Sequence, residues 1–102
     1  GVRKYAERAL QHTLMKLDHE PTLTIAANSL AAQLESKDLH FRSYSAVMLS
    51  GVVRKIKDRD TLESLLRRIT PAATKDRDKG VREYSSRAMR HIQNALKRNE
   101  EM

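Results

Sequence analysis

One twelve-residue pattern recurs along this chain, and it constrains the fold more than any other feature. Residues 1–12 read GVRKYAERALQH and residues 80–91 read GVREYSSRAMRH, with seven identical positions. A weaker copy, HFRSYSAVMLSG, occupies residues 40–51, so the copies are 39 and 40 residues apart. A period of this length is typical of proteins in which each repeat is a supersecondary unit that stacks on the next.

Each copy spaces its apolar residues as a helix does. In the middle copy, apolar side chains recur at i, i+3, i+4 and i+7 from Phe41 onward to Ile56, which is the pattern of a helix that buries one face. The three tyrosines of the chain, Tyr5, Tyr44 and Tyr84, fall in one column of the alignment. We therefore expect these rings to face inward in successive layers of the fold.

Further helical stretches separate the copies, and they repeat as well. Thr22-Leu23 and Thr61-Leu62 are again 39 residues apart, so the repeating unit is a pair of helices. We expect Pro71 to kink or end its helix, and Asp60 or Thr61 to cap the start of that helix. The sequence predicts five helices joined by short connections, over about 1–17, 22–35, 39–57, 60–74 and 79–98.

Composition agrees with a single all-α domain spanning 1–102. Three glycines and two prolines leave few turns for a many-stranded β fold, and the absence of cysteine excludes disulfide scaffolds and thiol chemistry. No apolar run approaches the length of a membrane span, so we expect no membrane partner and an intracellular location. The chain begins with Gly-Val-Arg, and we expect an excerpt of a larger array or a subunit of an assembly.

The start of the last predicted helix resembles a HEAT repeat. Residues 76–82 read DRDKGVR, with Ala88-Met89 further on, and match the pattern D-x-D-x-x-V-R-x-x-A-x-x-A-L; residues 36–42 keep one aspartate and the arginine. The resemblance implies a right-handed α-solenoid of about two and a half helix-pair repeats. Two features depart from the family: Pro71 lies nearer the turn than the family's first-helix proline, and the first unit lacks its leading helix.

The resemblance also implies a structural role for several charged residues. In HEAT repeats a turn aspartate and the arginine that follows it form a ladder between repeats. An arginine that recurs beside a turn carboxylate can indeed bridge neighbouring units with paired hydrogen bonds. The implied ladder consists of Arg3, Arg42 and Arg82, with Asp38, Asp76 or Asp78 as partners.

We expect no catalytic residues, no metal site, no cofactor and no small-molecule substrate. His12 and His91 share a column, but positions two repeats apart are on the order of 20 Å apart, too far to share a metal ion. His19-Glu20 is an isolated pair, and the chain contains no H-E-x-x-H, P-loop or G-x-G-x-x-G motif. The serines have no neighbouring base that a third group could orient.

Positive charge is concentrated in the second half of the chain. Of the net +7, residues 1–51 contribute +1 (six basic and five acidic) and residues 52–102 contribute +6 (14 basic and eight acidic). A basic half can bind nucleic-acid phosphates, yet acids are interleaved and there is no tryptophan on which bases could stack. Four interpretations stay open: a surface for an acidic protein, a nucleic-acid surface, a merely solvated basic surface, and a constitutive subunit of a large complex.

Comparison of the columns gives one sharper hypothesis. Arg8–Val47–Arg87, Gln11–Ser50–Arg90 and His12–Gly51–His91 place small or apolar residues between long polar ones, which predicts a trough with an apolar floor and basic walls. Such a shape suits an acidic peptide or helix. A glycine inside a helix, such as Gly51, lowers helix stability by about 1 kcal/mol relative to alanine. Two explanations for its presence are open: close approach of a ligand, or relief of crowding between helices. The hypothetical site comprises Arg8, Gln11, His12, Ala46, Val47, Ser50, Gly51, Arg54, Arg87, Arg90 and His91.

Overall fold

The computed structural model describes the backbone of residues 20–101 and the side chains of residues 20–98. Every regular element in this part of the chain is helical, as predicted. The elements are α1 (Glu20–Gln33), α2 (Leu39–Val52) with a 3-10 turn (Val53–Lys55), α3 (Arg59–Lys75) and α4 (Lys79–Glu101). The predicted helix over 1–17, and with it Arg3, Tyr5, Arg8, Gln11 and His12, lies outside the described residues.

The four helices form two hairpins that pack side by side. α1 packs on α2 and α3 packs on α4, while α1 also contacts α3, and α2 contacts α4. The first helices of the two pairs are thus neighbours, and so are the second helices. This pattern of contacts places equivalent positions of the repeat on adjacent helices, which matters for the site described below.

The turns inside the two hairpins share one hydrogen bond at equivalent positions of the repeat, and in both an aspartate caps the following helix. Ser36 Oγ accepts from the Asp38 amide at 3.1 Å, and Asp76 Oδ1 accepts from the Asp78 amide at 2.9 Å. The two following aspartates then accept from the first turns of their helices, Asp38 from His40 N and Asp78 from Val81 N. These bonds satisfy helix N-terminal amides that lack a helical partner, so the repeated residues produce a repeated turn.

The interior draws on one apolar face of each helix. Leu23 and Leu62, which occupy equivalent positions of the two pairs, are both fully buried, and Tyr44 and Tyr84 lie half-buried against the same core. Phe41 instead is 41% exposed, because it lies in the first turn of α2, at the edge of the buried cluster. The largest fully buried apolar side chains are Leu23, Leu49, Leu62, Leu65, Ile69 and Ile92.

Two buried serines at equivalent positions differ in their hydrogen bonding. Ser45 Oγ donates to Gln33 Oε1 at 2.8 Å. Ser85 is equally buried, but its hydroxyl has no hydrogen-bond partner among the described residues, since the position equivalent to Gln33 in the second pair is Ala72. A buried hydroxyl without a partner loses the hydrogen bonds it made to water in the unfolded chain.

The two serines should therefore respond oppositely to alanine. We expect Ser45→Ala to lower the free energy of unfolding by about 1 kcal/mol, and Ser85→Ala to leave it unchanged or raise it by up to about 1 kcal/mol. Urea denaturation followed by circular dichroism measures both changes under one condition. A loss of stability in Ser85→Ala as large as that in Ser45→Ala would contradict this assignment.

The second helix of the first pair ends earlier than the sequence predicts. Helical structure was expected to residue 57, but α2 ends at Val52, the 3-10 turn follows, and Ile56 is extended while still buried. Because the chain is no longer helical here, Asp58 becomes the N-cap of α3, in place of the predicted Asp60 or Thr61. Its carboxylate accepts hydrogen bonds from Thr61 N and Thr61 Oγ1. These two hydrogen bonds, that from the side chain first, also lower the pKa of Asp58.

Pro71 does not end its helix, contrary to one of the two expected outcomes. α3 continues beyond it to Lys75. Pro71 removes an amide that would have donated to the Arg67 carbonyl. Both residues are exposed, so water can satisfy that carbonyl and the helix continues.

Candidate functional site

A cleft lies between the C-terminal half of α2 and the middle of α4, where the sequence predicts the trough. Val47, Gly51 and Arg54 follow the spacing i, i+4, i+7 on one side, and Arg87 and His91 face them from α4. Helices that pack in repeat register bring positions 47 and 87, and 51 and 91, together. The residues that line this first cleft are Val47, Met48, Ser50, Gly51, Arg54, Arg87 and His91.

A second cleft continues the first toward the end of α4. The two clefts share Arg54 and His91, so they form one continuous depression, which we call the basic groove. On α4 its wall is a single row at i, i+4, i+7 and i+11 that runs from Arg87 to Arg98. The second cleft is lined by Val53, Arg54, Ile56, Lys57, Leu62, His91, Asn94, Ala95 and Arg98.

The charge of the basic groove is of one sign. Arg54, Lys57, Arg87 and Arg98 line it, and none of the described residues lining either cleft is acidic. Arg87 is oriented by Tyr84, because its guanidinium carbon lies 4.9 Å from the centre of that ring. The residues that line the groove are therefore cationic hydrogen-bond donors, while the nearest carboxylates, Glu20 and Asp58 beside Lys57 and Glu83 beside Arg87, line the adjoining depressions.

His91 occupies the junction of the two clefts. Partial burial lowers the pKa of His91, and the positive charges of Arg54 and Arg90 lower it further. The native state thus disfavours the protonated imidazole, whereas the unfolded chain binds that proton with an ordinary pKa of about 6.5. Above that pH both states are neutral at His91, and its titration costs no stability. As pH falls below it, the unfolded chain binds the proton more readily than the native state, so the free energy of unfolding decreases until pH is below the native pKa of His91.

Removing one of the neighbouring charges should be visible at this histidine. We expect Arg54→Gln to raise the pKa of His91, because one unfavourable positive charge is lost. The measurement is a pH titration of the His91 ring proton by NMR, with His40 as the internal comparison. If the pKa of His91 is the same in both proteins, Arg54 does not act on it.

The implied ladder residues meet at the turn before α4. Arg42 Nε donates to Asp76 Oδ2 at 2.9 Å, and the two side chains are only 18% and 7% exposed. Arg42 Nη1 also donates to the carbonyls of Ser36 and Lys37, as Arg82 Nη1 does to the carbonyl of Asp76. Asp38 and Asp78 receive the turn amides described above, and their main-chain carbonyls accept from the Arg42 and Arg82 amides as the first bonds of the two helices.

Two residues assigned to the trough lie elsewhere. Ala46 is fully buried in the core, because it follows Ser45 on the inward face of α2, and it cannot touch a ligand. Arg90 lines the next depression along the surface, which adjoins the groove at Arg87 and contains Glu83 and Ser86, since one residue before His91 is a rotation of about 100° around the helix. The charge of Arg90 nevertheless reaches His91.

The second half of the basic groove was not predicted from the sequence. Asn94 and Arg98 continue the row that starts at Arg87, and the spacing i+7 and i+11 would have indicated them. Lys57 could not be found this way, because it was expected to be helical and instead lies in the extended segment before α3.

Metal ligation and membrane insertion were considered for the described part of the chain. Within it, no three or more histidine, aspartate or glutamate side chains converge as metal ligands would. No helix between residues 20 and 101 has the length and apolar character needed to cross a bilayer.

Comparisons of this chain with models of protein families, with curated proteins and with solved structures found no match.

Proposed function

We propose that this chain is a segment of a right-handed α-solenoid of HEAT-like helix pairs, and that it acts as a non-enzymatic scaffold for protein–protein contacts. Its ligand is an acidic segment of a partner protein, bound in the basic groove. The supporting observation is the groove itself, which is lined along its length by Arg54, Lys57, Arg87 and Arg98 and by no acidic residue among those described.

The solenoid part of this proposal is supported by the repeated geometry. The equivalent turns of the two hairpins share one hydrogen bond, and equivalent helices are neighbours. A stack of such pairs buries each unit against the next. The salt bridge between Arg42 and Asp76 joins the second helix of one pair to the turn of the following pair, as the resemblance to HEAT repeats implies.

The acidic partner is supported by electrostatics and shape. Arginine binds carboxylates with paired, charge-assisted hydrogen bonds, which are stronger than neutral ones. The small side chain of Ser50 and the absence of a side chain at Gly51 leave space beside these cations, and Val47, which is partly exposed, supplies apolar contact. An acidic peptide with small or apolar residues matches both properties.

Charge reversal in the basic groove tests the proposal. We expect Arg54→Glu combined with Arg87→Glu to weaken binding of a fluorescein-labelled decamer of glutamate at least tenfold, measured by anisotropy at low salt. The matched control is Arg67→Glu with Arg77→Glu, two exposed residues outside the groove. Equal losses in both variants would show that net charge, and not the groove, binds the peptide.

Nucleic-acid binding is a second candidate, because the same cations can contact phosphates. It requires affinity for duplex or single-stranded oligonucleotides that falls steeply as salt rises. Binding of oligonucleotides together with no binding of the glutamate decamer would favour it over the acidic protein partner.

A constitutive role in a large complex is a third candidate, favoured by three exposed apolar side chains, Ile25, Leu39 and Phe41. Ile25 on α1 is 69% exposed. Analytical ultracentrifugation distinguishes this candidate, since a stable monomer at micromolar concentration is not expected of an obligate subunit.

A further inference from the structure

His91 and Arg54 lie together at the centre of the basic groove. Both side chains line both clefts, so they mark the point at which the two clefts join. Gly51 lines the first cleft with them and has no side chain to fill the space in front of the imidazole. A carboxylate that pairs with Arg54 therefore lies beside the imidazole of His91 as well.

The charged side chains that share the clefts with His91, or act on it electrostatically, are all cationic among the described residues. Arg54 faces it from the 3-10 turn and Lys57 from the extended segment, whereas α2 and α3 line the clefts with uncharged side chains. The cations on α4 are Arg87, Arg90 and Arg98. The carboxylates closest to the clefts line adjoining depressions and belong to Glu20, Asp58 and Glu83. Within the described chain, no carboxylate that lines the groove can compensate a proton on His91.

His91 is also the titrating group of the groove. Of the described residues that line it, only His91 changes its charge between about pH 6 and pH 7.5, since arginine and lysine stay protonated there. Neutral imidazole donates through one ring nitrogen, whereas imidazolium donates through both and carries a charge opposite to that of a carboxylate. The protonated ring is therefore the form that binds an acidic ligand better.

A bound carboxylate acts on the pKa of His91 in two opposing ways. It removes water from the imidazole, which disfavours the cation, and it places a negative charge beside the ring, which favours the cation. The same charge compensates Arg54, one of the groups that lower the pKa of His91 in the free protein. The electrostatic effects outweigh the added burial, because the ring is already half-buried and has only part of its hydration left to lose.

We propose that His91 takes up a proton when an acidic segment binds in the basic groove, so that the groove holds such segments more tightly in mildly acidic than in neutral solution. The proton adds a hydrogen-bond donor and a positive charge where the ligand compensates them. The direction follows from linkage, because a ligand that favours the protonated form gains affinity as the protonated fraction rises. This inference rests on the proposed function and adds regulation by pH to the same site.

The test measures binding of the glutamate decamer to the full 102-residue chain at about pH 6 and pH 7.5, at constant ionic strength. The label is tetramethylrhodamine, because fluorescein itself titrates in this range, and the glutamates stay ionised at both values since their ordinary pKa is about 4.3. We expect anisotropy to show binding at least about threefold tighter at the lower pH. His91→Gln should remove this gain, while His40→Gln, at an exposed residue outside the groove, should retain it.

A second measurement needs no protein variant. The titration midpoint of the His91 ring proton, followed by NMR, should move to higher pH when the decamer saturates the groove. The His40 ring proton, observed in the same spectra, should move much less.

The possible failures separate this inference from the proposed function. Equal affinity for the decamer at both pH values, a pH gain that persists in His91→Gln, or an unchanged midpoint of His91 on binding each overturns the inference and leaves the proposed function intact. Absence of decamer binding at both pH values removes both. Binding of a twelve-base-pair duplex in that last case would assign the groove to phosphates.

Discussion

Replacing Asp76 by alanine is expected to lower the free energy of unfolding by about 3 kcal/mol, because a largely buried ion pair loses one partner. The Asp76 carboxylate accepts from Arg42 Nε through one oxygen and from the Asp78 amide through the other. Its removal leaves the Arg42 guanidinium, whose side chain is 18% exposed, with uncharged main-chain acceptors, the carbonyls of Ser36 and Lys37, among the described residues. Urea denaturation measures the loss.

The chain itself offers the matched control for this substitution. Ser36 occupies the position equivalent to Asp76 and makes the same turn hydrogen bond without a charge. Asp76→Ser should therefore retain the turn and lose only the bond to Arg42, so its destabilisation should be smaller than that of Asp76→Ala. A double-mutant cycle with Arg42→Ala isolates the pair, and a coupling energy near zero would contradict its role in joining the two hairpins.

Features governed by local chemistry could be predicted from the sequence. The predicted helix starts at residues 39 and 79 agree with the structure, and each depends on a few neighbouring residues around the aspartate before the helix, Asp38 or Asp78. The approach of Gly51 to His91 required only the repeat period and helical geometry. These predictions depend on few assumptions about the rest of the fold.

Features governed by tertiary surroundings could not be predicted in the same way. Ala46 and Val47 are adjacent apolar residues. Which of them is buried depends on how α2 packs, and in the structure Ala46 is buried while Val47 lines the groove. The apolar pattern continues through Ile56, which suggested that the helix does too. Ile56 is indeed buried, but its backbone is extended and lies beyond the end of the helix. Hydrophobic periodicity reports burial, and it does not by itself report where a helix ends.

The other large effect is expected in the core between the hairpins. Leu49 is fully buried in α2 and belongs to a cluster of buried side chains that draws on all four described helices. Leu49→Ala should lower the free energy of unfolding by about 4 kcal/mol, from the lost transfer free energy and the cavity that remains. A domain of this size has about 5–15 kcal/mol in total, so the variant should be close to its limit of stability.

The same substitution tests whether the two hairpins stabilise each other. In a stack of helix pairs, each unit depends on its interface with the next, so a defect in α2 should also expose the backbone of α4. We expect Leu49→Ala to accelerate amide hydrogen exchange in both hairpins, and the conservative Leu49→Met to change stability by less than about 1.5 kcal/mol. If exchange accelerates only in α1 and α2, the hairpins unfold independently. The contacts between α2 and α4 would then be too weak to hold the two walls of the basic groove at a fixed separation.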